Sequence, residues 1–280
     1  MKVRKFAEHK IILGNIISVL DDCLEDGSID LIFADPPYNI GKKFNGKQKK
    51  WNSDDEYIRW CYQWLDLCMR KLKITGSIYI MAATQYMPYI DIYLRDKITI
   101  LSRIVWSYDS SGVQAIKYCG SLYEPILFGV KDKNNYTFNA EEIKIEAKTG
   151  AVRKLIDYRK QIPTVYNSKK VPGNVWYIPI VRYKMAEYRN HPTQKPEALL
   201  ERIIKASSNP GDLILDLFAG TFTTSVVAQR LARKSISIEV EEEYIKLGLE
   251  RLNFVSEDKS DKTILNNQDV QLSLDLNMEN

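Results

Sequence analysis

The stretch that decides the fold reads Ile29-Asp30-Leu31-Ile32-Phe33-Ala34 and continues directly into Asp35-Pro36-Pro37-Tyr38. Much later in the chain, Leu213-Ile214-Leu215-Asp216-Leu217-Phe218-Ala219-Gly220 repeats the same order of an apolar run and a loop. Continuous apolar runs are typical of parallel strands that are buried on both faces. The two stretches therefore predict two strands of a parallel sheet, each followed by a functional loop.

Further apolar runs with strand character lie at 77–82, 101–107, 123–130 and 235–240. Helical patterns lie between the runs. Residues 56–73 place apolar side chains at three- and four-residue spacing, and residues 196–207 begin with a proline, which is favoured in a first helical turn. Strands that alternate with helices predict an α/β fold with a doubly wound, mostly parallel sheet.

The alternation breaks between residues 131 and 190, a stretch that is rich in Lys, Asn and Tyr and is interrupted by prolines and Gly173. We interpret 131–190 as an inserted module between two halves of one α/β domain, at 1–130 and 191–254. The last segment, 255–280, is polar and charged, and we expect it to be disordered.

The bulk composition, 45% hydrophobic and 27% charged, is typical of a soluble globular protein. No apolar stretch reaches the roughly 18 residues that a membrane span needs, so we expect a cytoplasmic protein without a membrane partner. The four cysteines form no Cys-x-x-Cys pair and the two histidines lie far apart. We therefore expect no metal and no disulfide, with Cys61 and Cys68 buried on one helix face.

Positive charge is concentrated in two segments, although the formal net charge is only +4. Residues 39–50 hold five lysines and no acid, and residues 131–190 hold thirteen Lys/Arg against six Asp/Glu. Such concentration favours a polyanionic partner, with a simply solvated lysine surface as the alternative. The candidate contacts are Lys42, Lys43, Lys47, Lys49, Lys50, Arg153, Lys154, Arg159, Lys160, Lys169, Lys170 and Arg182.

Aromatic residues interleave with the positive charge of the insert, as is common where bases or base edges are contacted. Packing within the insert is the alternative for at least half of them. They are Tyr158, Tyr166, Trp176, Tyr177, Tyr183 and Tyr188.

The loop 216–224 has the spacing of a nucleoside-binding βαβ unit. Glu239 ends the next strand, about 20 residues after the loop, where an acid accepts hydrogen bonds from ribose hydroxyls. A loop for a pyrophosphate has three glycines, whereas this one has Gly220 alone and carries Phe222 where another glycine is expected. The loop therefore suits a nucleoside without phosphates, such as S-adenosylmethionine.

A second polar loop, His191-Pro192-Thr193-Gln194-Lys195-Pro196, precedes the helix that leads to this strand. Two prolines stiffen it, and its polar groups are candidates for binding a carboxylate. A polar helix-entry turn is the alternative.

These motifs, taken in order over about residues 10–254, resemble the permuted (beta-type) class of S-adenosylmethionine-dependent DNA amino-methyltransferases. The resemblance implies a circularly permuted Rossmann-like sheet, with a catalytic half at 1–130, a target-recognition insert at 131–190 and a cofactor half at 191–254. Asp216, Phe218, Gly220 and Thr221 would line the methionine moiety. Glu239 would bind the ribose, and Thr193 and Lys195 the carboxylate.

The full set of implied cofactor residues also includes Asn15, in a position near the adenine ring that more often carries Asp. The set is Asn15, Asp35, His191, Thr193, Lys195, Asp216, Phe218, Ala219, Gly220, Thr221, Glu239 and Val240.

The implied catalytic residues are Asp35, Pro36, Pro37 and Tyr38. An adenine amine is a poor nucleophile, because its lone pair is delocalised into the ring. If Asp35 and the carbonyl of Pro36 each accept one amine hydrogen, the lone pair becomes available for direct in-line transfer. Tyr38 would stack on a base that has been flipped out of the duplex.

The expected function is therefore site-specific methylation of N6 of adenine in double-stranded DNA, because Asp at the first loop position goes mostly with adenine in this family. The alternatives are N4 methylation of cytosine, methylation of RNA or a protein amide, and a catalytically inactive DNA-binding homologue. Besides DNA, the candidate partners are a cognate restriction endonuclease and a second copy of the chain. A prokaryotic or phage-type protein that associates with the nucleoid is expected.

Overall fold

The computed structural model describes residues 2–39, 51–109, 116–147, 155–189, 191 and 193–253. The tail predicted to be disordered, 255–280, lies outside these ranges, as do Pro192 and seven of the predicted DNA contacts, Lys42, Lys43, Lys47, Lys49, Lys50, Arg153 and Lys154.

The described strands are, in chain order, β1 (Lys2–Phe6), β2 (His9–Leu13), β3 (Ile29–Ala34), β4 (Leu72–Met81), β5 (Thr99–Ser107), β6 (Tyr123–Val130), β7 (Ile145–Glu146), β8 (Ile156–Asp157), β9 (Thr164–Val165), β10 (Lys169–Lys170), β11 (Val175–Tyr177), β12 (Leu213–Asp216) and β13 (Lys234–Glu239). The helices are α1 (Ile16–Asp22), α2 (Asp54–Lys71), α3 (Met87–Arg95), α4 (Glu197–Ser207), α5 (Thr223–Arg230) and α6 (Glu242–Arg251), with a short 3₁₀ helix at Ala140–Ile143.

Nine strands form one sheet, in the order β1-β2-β13-β12-β3-β4-β6-β5-β11. The five strands from β2 to β4 are parallel, whereas β6 runs antiparallel to both of its neighbours and β1 runs antiparallel to β2. Successive side chains of β3 point to opposite faces of the sheet. Leu31 and Phe33 pack with α4 and α5, while Ile32 and Ala34 pack with α1, α2 and α3. Helices on both faces confirm the predicted doubly wound α/β sheet.

Helix α2 illustrates why the local sequence folds as it does. The side chain of Ser53 accepts a hydrogen bond from the backbone N–H of Glu56, and acidic residues in the first turn complement the helix dipole. Its buried face includes Cys61 and Cys68, as predicted from their spacing.

The end of the predicted insert joins the main sheet. Strand β11 pairs in parallel with β5, and Trp176 is buried in the core between sheet and helices. Among its described residues, the middle of the insert forms two small two-stranded sheets, β7 with β10 and β8 with β9. Every residue from 155 to 170 except Asp157 is exposed to solvent. The division into an insert and two half-domains stays a prediction.

Candidate active site

The site lies where parallel strands end side by side. Strands β13, β12, β3 and β4 are neighbours in the sheet, so the loops that follow β13, β12 and β3 emerge at one edge. Ligands of open α/β sheets bind at this edge, outside the carboxyl ends of the strands. A cavity of about 710 Å³ occupies the position, a volume suited to a nucleoside-sized ligand together with a base.

All of the catalytic and cofactor residues predicted from the sequence line this one cavity, although they come from five separate segments of the chain. They are Asn15, Asp35, Pro36, Pro37, Tyr38, His191, Thr193, Lys195, Asp216, Phe218, Ala219, Gly220, Thr221, Glu239 and Val240. Lining the cavity is consistent with the predicted roles, and the roles themselves stay predictions.

The carboxylate of Asp35 is held on both sides. Its Oδ1 accepts a hydrogen bond from the Tyr38 hydroxyl at 2.9 Å, and its Oδ2 lies 2.8 Å from the ammonium Nζ of Lys195. A second carboxylate, Glu124 at the start of β6, shares both partners: its Oε2 lies 2.8 Å from the Tyr38 hydroxyl and 3.3 Å from Lys195 Nζ. The two acids, the phenol and the ammonium form one connected group, which we call the catalytic-loop network.

Burial and mutual charge perturb the pKa values within this network. Burial raises the pKa of Asp35, the Lys195 ammonium opposes the rise, and the nearby Glu124 adds to it. Burial opposes the charge of Lys195, but the two carboxylates outweigh that effect and raise its pKa. Burial and the same two acids raise the pKa of Tyr38 well above its usual value, so the hydroxyl keeps its proton.

Lys195 contacts two carboxylates of the protein itself, whereas the sequence predicted a contact with the carboxylate of the cofactor. Two of its three N–H donors point to Asp35 and Glu124 rather than to the cofactor loop. The expected contact with a methionine carboxylate stays a prediction, as does that of Thr193, which lines the same cavity.

Glu239 organises the cofactor loop by accepting backbone hydrogen bonds. Its Oε2 accepts from the N–H of Gly220 at 2.8 Å, and its Oε1 accepts from the N–H groups of Val240 and Glu241 at 2.7 and 2.9 Å. Gly220 has a φ of +50°, a conformation that favours glycine. Glu239 at the end of β13 and Gly220 of the loop are therefore joined by a direct hydrogen bond.

Asp216 and His191 flank the same loop. Burial raises the pKa of Asp216 to about 7, even though the N–H of Phe218 donates to its carboxylate at 3.1 Å. Burial, with the nearby charge of Lys195, lowers the pKa of His191 to about 4, so its ring is neutral at physiological pH. The N–H of Thr193 donates to His191 Nδ1 at 3.3 Å, which places the ring proton on Nε2, beside Gly220.

Asn15 has a structural role in addition to its place in the cavity wall. Its Oδ1 accepts a hydrogen bond from the N–H of Ile17 at 2.9 Å and so caps α1. The preceding N–H, of Gly14, donates to the carbonyl of Glu239 at 2.9 Å, which connects this corner of the cavity to β13.

Phe222, which stands where a pyrophosphate-binding loop would carry a glycine, is the N-cap of α5 and adopts the left-handed conformation, with φ 60° and ψ 28°. Its ring is fully buried and packs against Gly248 of α6 so closely that a Cβ on Gly248 would lie 2.5 Å from the ring. A phenylalanine fits here because the facing helix carries no side chain at the contact point.

Sequence reasoning missed several residues at the site. Glu124 looked like part of an ordinary strand, and its charge at the start of an apolar run was the available signal. Trp51 and Trp60 add aromatic wall to the cavity, with the ring of Trp60 5.9 Å from that of Phe218. Arg251, with a side chain only 2% exposed, donates to the carbonyl of Thr221 at 2.7 Å and to Glu197 at 2.7 Å.

The described DNA-binding candidates lie outside the cavity lining and are exposed. Arg159 is paired with Asp157 at 2.8 Å, and its guanidinium lies 5.6 Å from the ring centre of Tyr166. Lys160 bonds to Thr164, while Arg182 donates to the carbonyl of Asp109. Lys169 and Lys170 form β10.

The aromatic residues of the insert divide between surface and core. Tyr158, Tyr177 and Tyr183 are at least two-thirds exposed, and Tyr166 is partly exposed. Trp176 belongs to the core, so core packing accounts for fewer of these six residues than the half or more that the alternative expected.

The sheet and its cavity define the class of Rossmann-like methyltransferases, in which a nucleoside cofactor lies above the carboxyl ends of the strands. The sequence matches the DNA methylase family of N6 and N4 methyltransferases over residues 29–250, and the chain belongs to that family. This confirms the family expected from the order of the motifs. Its assignment to the permuted subgroup stays a prediction.

Two relatives illustrate the similarity. The chain is 62% identical to the DNA adenine methyltransferase YhdJ of Escherichia coli K12 over 229 residues, which cover 82% of this chain and 78% of that protein. It is 36% identical to the type II methyltransferase M.HpaI of Haemophilus parainfluenzae over 248 residues, which cover 88% and 74% of the two chains.

Solved structures share the fold at low sequence identity. The PvuII DNA methyltransferase, which is cytosine-N4-specific, superposes with a TM-score of 0.68 at 18% identity, over 95% of this chain and 91% of that chain. M1.HpyAVI, in complex with S-adenosylmethionine, gives a TM-score of 0.60 at 23% identity, over 88% and 99%. These likenesses confirm the predicted methyltransferase sheet. Across the described ranges, no helix combines the length and apolar character that crossing a membrane would require.

Proposed function

We propose that the protein transfers a methyl group from S-adenosylmethionine to the exocyclic N6 amine of adenine in double-stranded DNA. The observation that carries the proposal is that Asp35 shares one cavity with Gly220 and Glu239. A hydrogen-bond acceptor for an amine therefore stands beside a loop suited to a nucleoside. The 62% identity to a protein named DNA adenine methyltransferase supports adenine as the base.

The cavity fits S-adenosylmethionine by its chemistry. Gly220 allows the backbone to approach the ligand closely, and Glu239 provides a carboxylate at the end of β13. The loop around Gly220 lacks the clustered glycines that a pyrophosphate requires. S-adenosylmethionine supplies an electrophilic methyl group on a sulfonium sulfur. Glu239 would hold the ribose, and Phe218 and Thr221 would line the methionine end.

Asp35 acts on the base by orientation. Each of its carboxylate oxygens has a second lone pair, so it can accept an amine hydrogen while Tyr38 and Lys195 keep their contacts. The carbonyl of Pro36 is the second acceptor. Two acceptors fix the direction of the amine lone pair, and the ammonium of Lys195 offsets one negative charge of the carboxylates beside it.

An amine inside a stacked duplex cannot reach an acid in the wall of a cavity, so we propose that the target base is flipped out at a cost of a few kcal/mol. The exposed segment 155–170 is suited to supply the compensating DNA contacts. It carries Arg159, Lys160, Lys169 and Lys170 beside exposed apolar side chains, and it buries little against the rest of the protein.

The proposed function also bears on the other partners of the protein and on its location in the cell. M.HpaI is named a type II methyltransferase, which supports a cognate restriction endonuclease as a functional partner. A cytoplasmic, nucleoid-associated location suits a DNA substrate. Sedimentation of the purified protein with and without duplex DNA tests whether a second copy takes part.

Transfer of tritiated methyl to duplex DNA, followed by digestion to nucleosides, tests the reaction. We expect label in N6-methyl-2′-deoxyadenosine. Label in N4-methyl-2′-deoxycytidine would show that the target base is cytosine, as the name of the PvuII enzyme states for that protein. The absence of label would reject the proposal. Sequencing of modified positions in DNA from expressing cells then gives the recognition site.

Two variants separate chemistry from cofactor binding. Asp35→Ala should abolish transfer and keep cofactor binding by calorimetry. Glu239→Ala should weaken the cofactor first, because three backbone N–H groups lose their acceptor. Glu239→Gln is the matched control, since it keeps one carbonyl oxygen as an acceptor. Near-normal turnover by Asp35→Ala would reject the assigned geometry.

A further inference from the structure

Glu124 reaches the catalytic loop from a part of the chain that carries none of the recognised motifs. Strand β6 runs antiparallel to β4, so its first residues lie at the edge where β4 ends. The side chain of Glu124 is 20% exposed, and its Oε2 meets both Tyr38 and Lys195. A second acid thus stands within hydrogen-bond reach of the partners of Asp35.

The number of hydrogens in this network constrains its protonation. The Tyr38 hydroxyl has one hydrogen, yet it lies 2.9 Å from Asp35 Oδ1 and 2.8 Å from Glu124 Oε2. Ionised carboxylates only accept hydrogen bonds, so with both acids ionised one of these contacts would join two acceptors. With one acid protonated, that acid donates to Tyr38 and Tyr38 donates to the other acid. Both contacts are then hydrogen bonds.

The charges lead to the same conclusion. Two carboxylates and the single ammonium of Lys195 sum to one negative charge, in a site where all three side chains are at least 80% buried. One added proton makes the group neutral, and a neutral group is the less costly state away from water.

We propose that Asp35, Tyr38 and Glu124 form a proton relay, with Glu124 as the residue that receives the proton released by the methylated amine. The proposal rests on the proposed function. The relay adds Glu124 to the residues that act on the reaction, and it gives the Tyr38 hydroxyl a role distinct from that of its ring.

The step balances as follows. Methyl transfer forms the N–C bond, breaks the S–C bond with its electron pair left on sulfur, and leaves the amine cationic with one excess proton. At rest Asp35 holds the shared proton on Oδ1, where it donates to Tyr38, and Tyr38 donates to Glu124. The excess proton of the amine passes to Asp35 Oδ2, Asp35 gives its Oδ1 proton to the Tyr38 oxygen, and Tyr38 passes its own hydrogen to Glu124 Oε2. Glu124, the more exposed of the two acids, releases a proton to water and is restored as an acceptor.

Other titratable groups face the network, and none offers an equivalent path. Asp216 accepts from the N–H of Phe218, and no described hydrogen bond joins it to Asp35. His191 is neutral, with Nδ1 already accepting from Thr193, and no described hydrogen bond joins it to Asp35 or Glu124. The Tyr108 hydroxyl lies 3.5 Å from Glu124 Oε1, and no described hydrogen bond joins it to Asp35 or Tyr38.

The first test detects the shared proton by infrared spectroscopy of the protein without cofactor. Infrared difference spectra at neutral pH should contain a protonated-carboxyl band that is lost in both Glu124→Gln and Asp35→Asn, since either change leaves one acid alone with Lys195. Tyr79→Phe is the matched control. It removes a buried hydroxyl that bonds Ser207 at 2.8 Å, outside the cavity lining, and should keep the band. A band that survives either acid substitution, other than the one that Asp216→Asn removes, contradicts a shared proton.

The second test follows proton release and methyl transfer in one turnover on duplex DNA, with a pH-indicator dye and tritiated methyl. In the wild-type protein the two should coincide. In Tyr38→Phe and in Glu124→Gln, proton release should lag behind methyl transfer by roughly 10²-fold, and the double variant should be no slower than the slower single variant. Phenylalanine keeps the ring for stacking, so the lag reports the hydroxyl alone.

The outcomes separate this relay from the proposed function. A wild-type protein that transfers no methyl rejects the function. Normal methyl transfer with coincident proton release in both variants rejects the relay alone. A lag in Glu124→Gln but not in Tyr38→Phe also rejects it, since Glu124 would then act only through its charge on Lys195.

Discussion

Replacing Gly248 by alanine sets two effects of opposite sign against each other. Gly248 lies within α6, and in a helix interior alanine is favoured over glycine by about 1 kcal/mol. The new methyl group, however, would lie 2.5, 2.6 and 2.7 Å from Cδ2, Cγ and Cε2 of Phe222. Carbon atoms in normal contact are about 3.5–4.0 Å apart. Propensity predicts a more stable protein, and packing predicts a less stable one.

The structure favours packing as the larger effect. Phe222 is fully buried, and its backbone is fixed by a 2.7 Å hydrogen bond from its N–H to the carbonyl of Ala219. Overpacking a core costs about 1–3 kcal/mol, and three short contacts on a rigid ring place this case near the upper end. After the gain in helix propensity, we expect the free energy of unfolding to fall by about 2 kcal/mol.

The displaced ring should also weaken the cofactor. Phe222 directly follows the loop of Gly220 and Thr221, so a shift of its backbone moves the groups that line the cavity. We expect Gly248→Ala to bind S-adenosylmethionine about tenfold more weakly, which corresponds to about 1.4 kcal/mol.

Urea unfolding and calorimetry measure both effects. Lys246→Ala, an exposed change in the same helix, is the control and should alter stability by less than about 0.5 kcal/mol. Trimming the ring with Phe222→Leu should make Gly248→Ala less harmful, a coupling that a double-mutant cycle detects. If Gly248→Ala were as stable as the wild-type protein or more stable, the close contact with Phe222 would be refuted.

Three further changes test other parts of the site. Arg251→Lys keeps the charge but not the two-sided contact with Thr221 and Glu197, so the cofactor dissociation constant should rise roughly tenfold in calorimetry; an unchanged value would contradict this. Because burial raises the pKa of Asp216 to about 7, the folded state binds the extra proton, and stability should fall by about 1 kcal/mol per unit as pH rises from about 4 to 7. Urea unfolding at several pH values should find that slope removed in Asp216→Asn, and parallel curves would count against it. Replacing Lys169 and Lys170 by alanine should lower the slope of log affinity for duplex DNA against log salt by about 2, and an unaltered slope would remove β10 from the interface.

Much of the fold could be predicted because the information is local. The runs that became β3 and β12 are apolar on both faces, and only a sheet covered on both sides by helices buries such strands. The convergence of their loops then follows from parallel topology. Boundaries were less exact: β4 begins at Leu72 instead of 77, because the chain turns extended directly after α2 and pairs with Ile29 across an irregularity in β3.

Strand β11 could not be read from its own sequence. It is three residues long, two of its side chains are exposed, and its partner β5 lies about 70 positions earlier in the chain. Only the burial of Trp176 stabilises it strongly, and a single tryptophan among many aromatic residues gives no period. Pairings between distant segments of this kind depend on the completed sheet.

Glu124 and Lys195 mark the same limit at the site. A lysine in a polar loop was assigned to the carboxylate of a ligand, because the resemblance to the methyltransferase family implies that role. The antiparallel entry of β6 brings a second carboxylate of the protein itself to that loop, and a buried ammonium is held most strongly where two acids surround it. The sequence contains both acids and the lysine, but three separate segments must meet at one edge of the sheet before these charges can balance. The proton that Tyr38 can share depends on that balance.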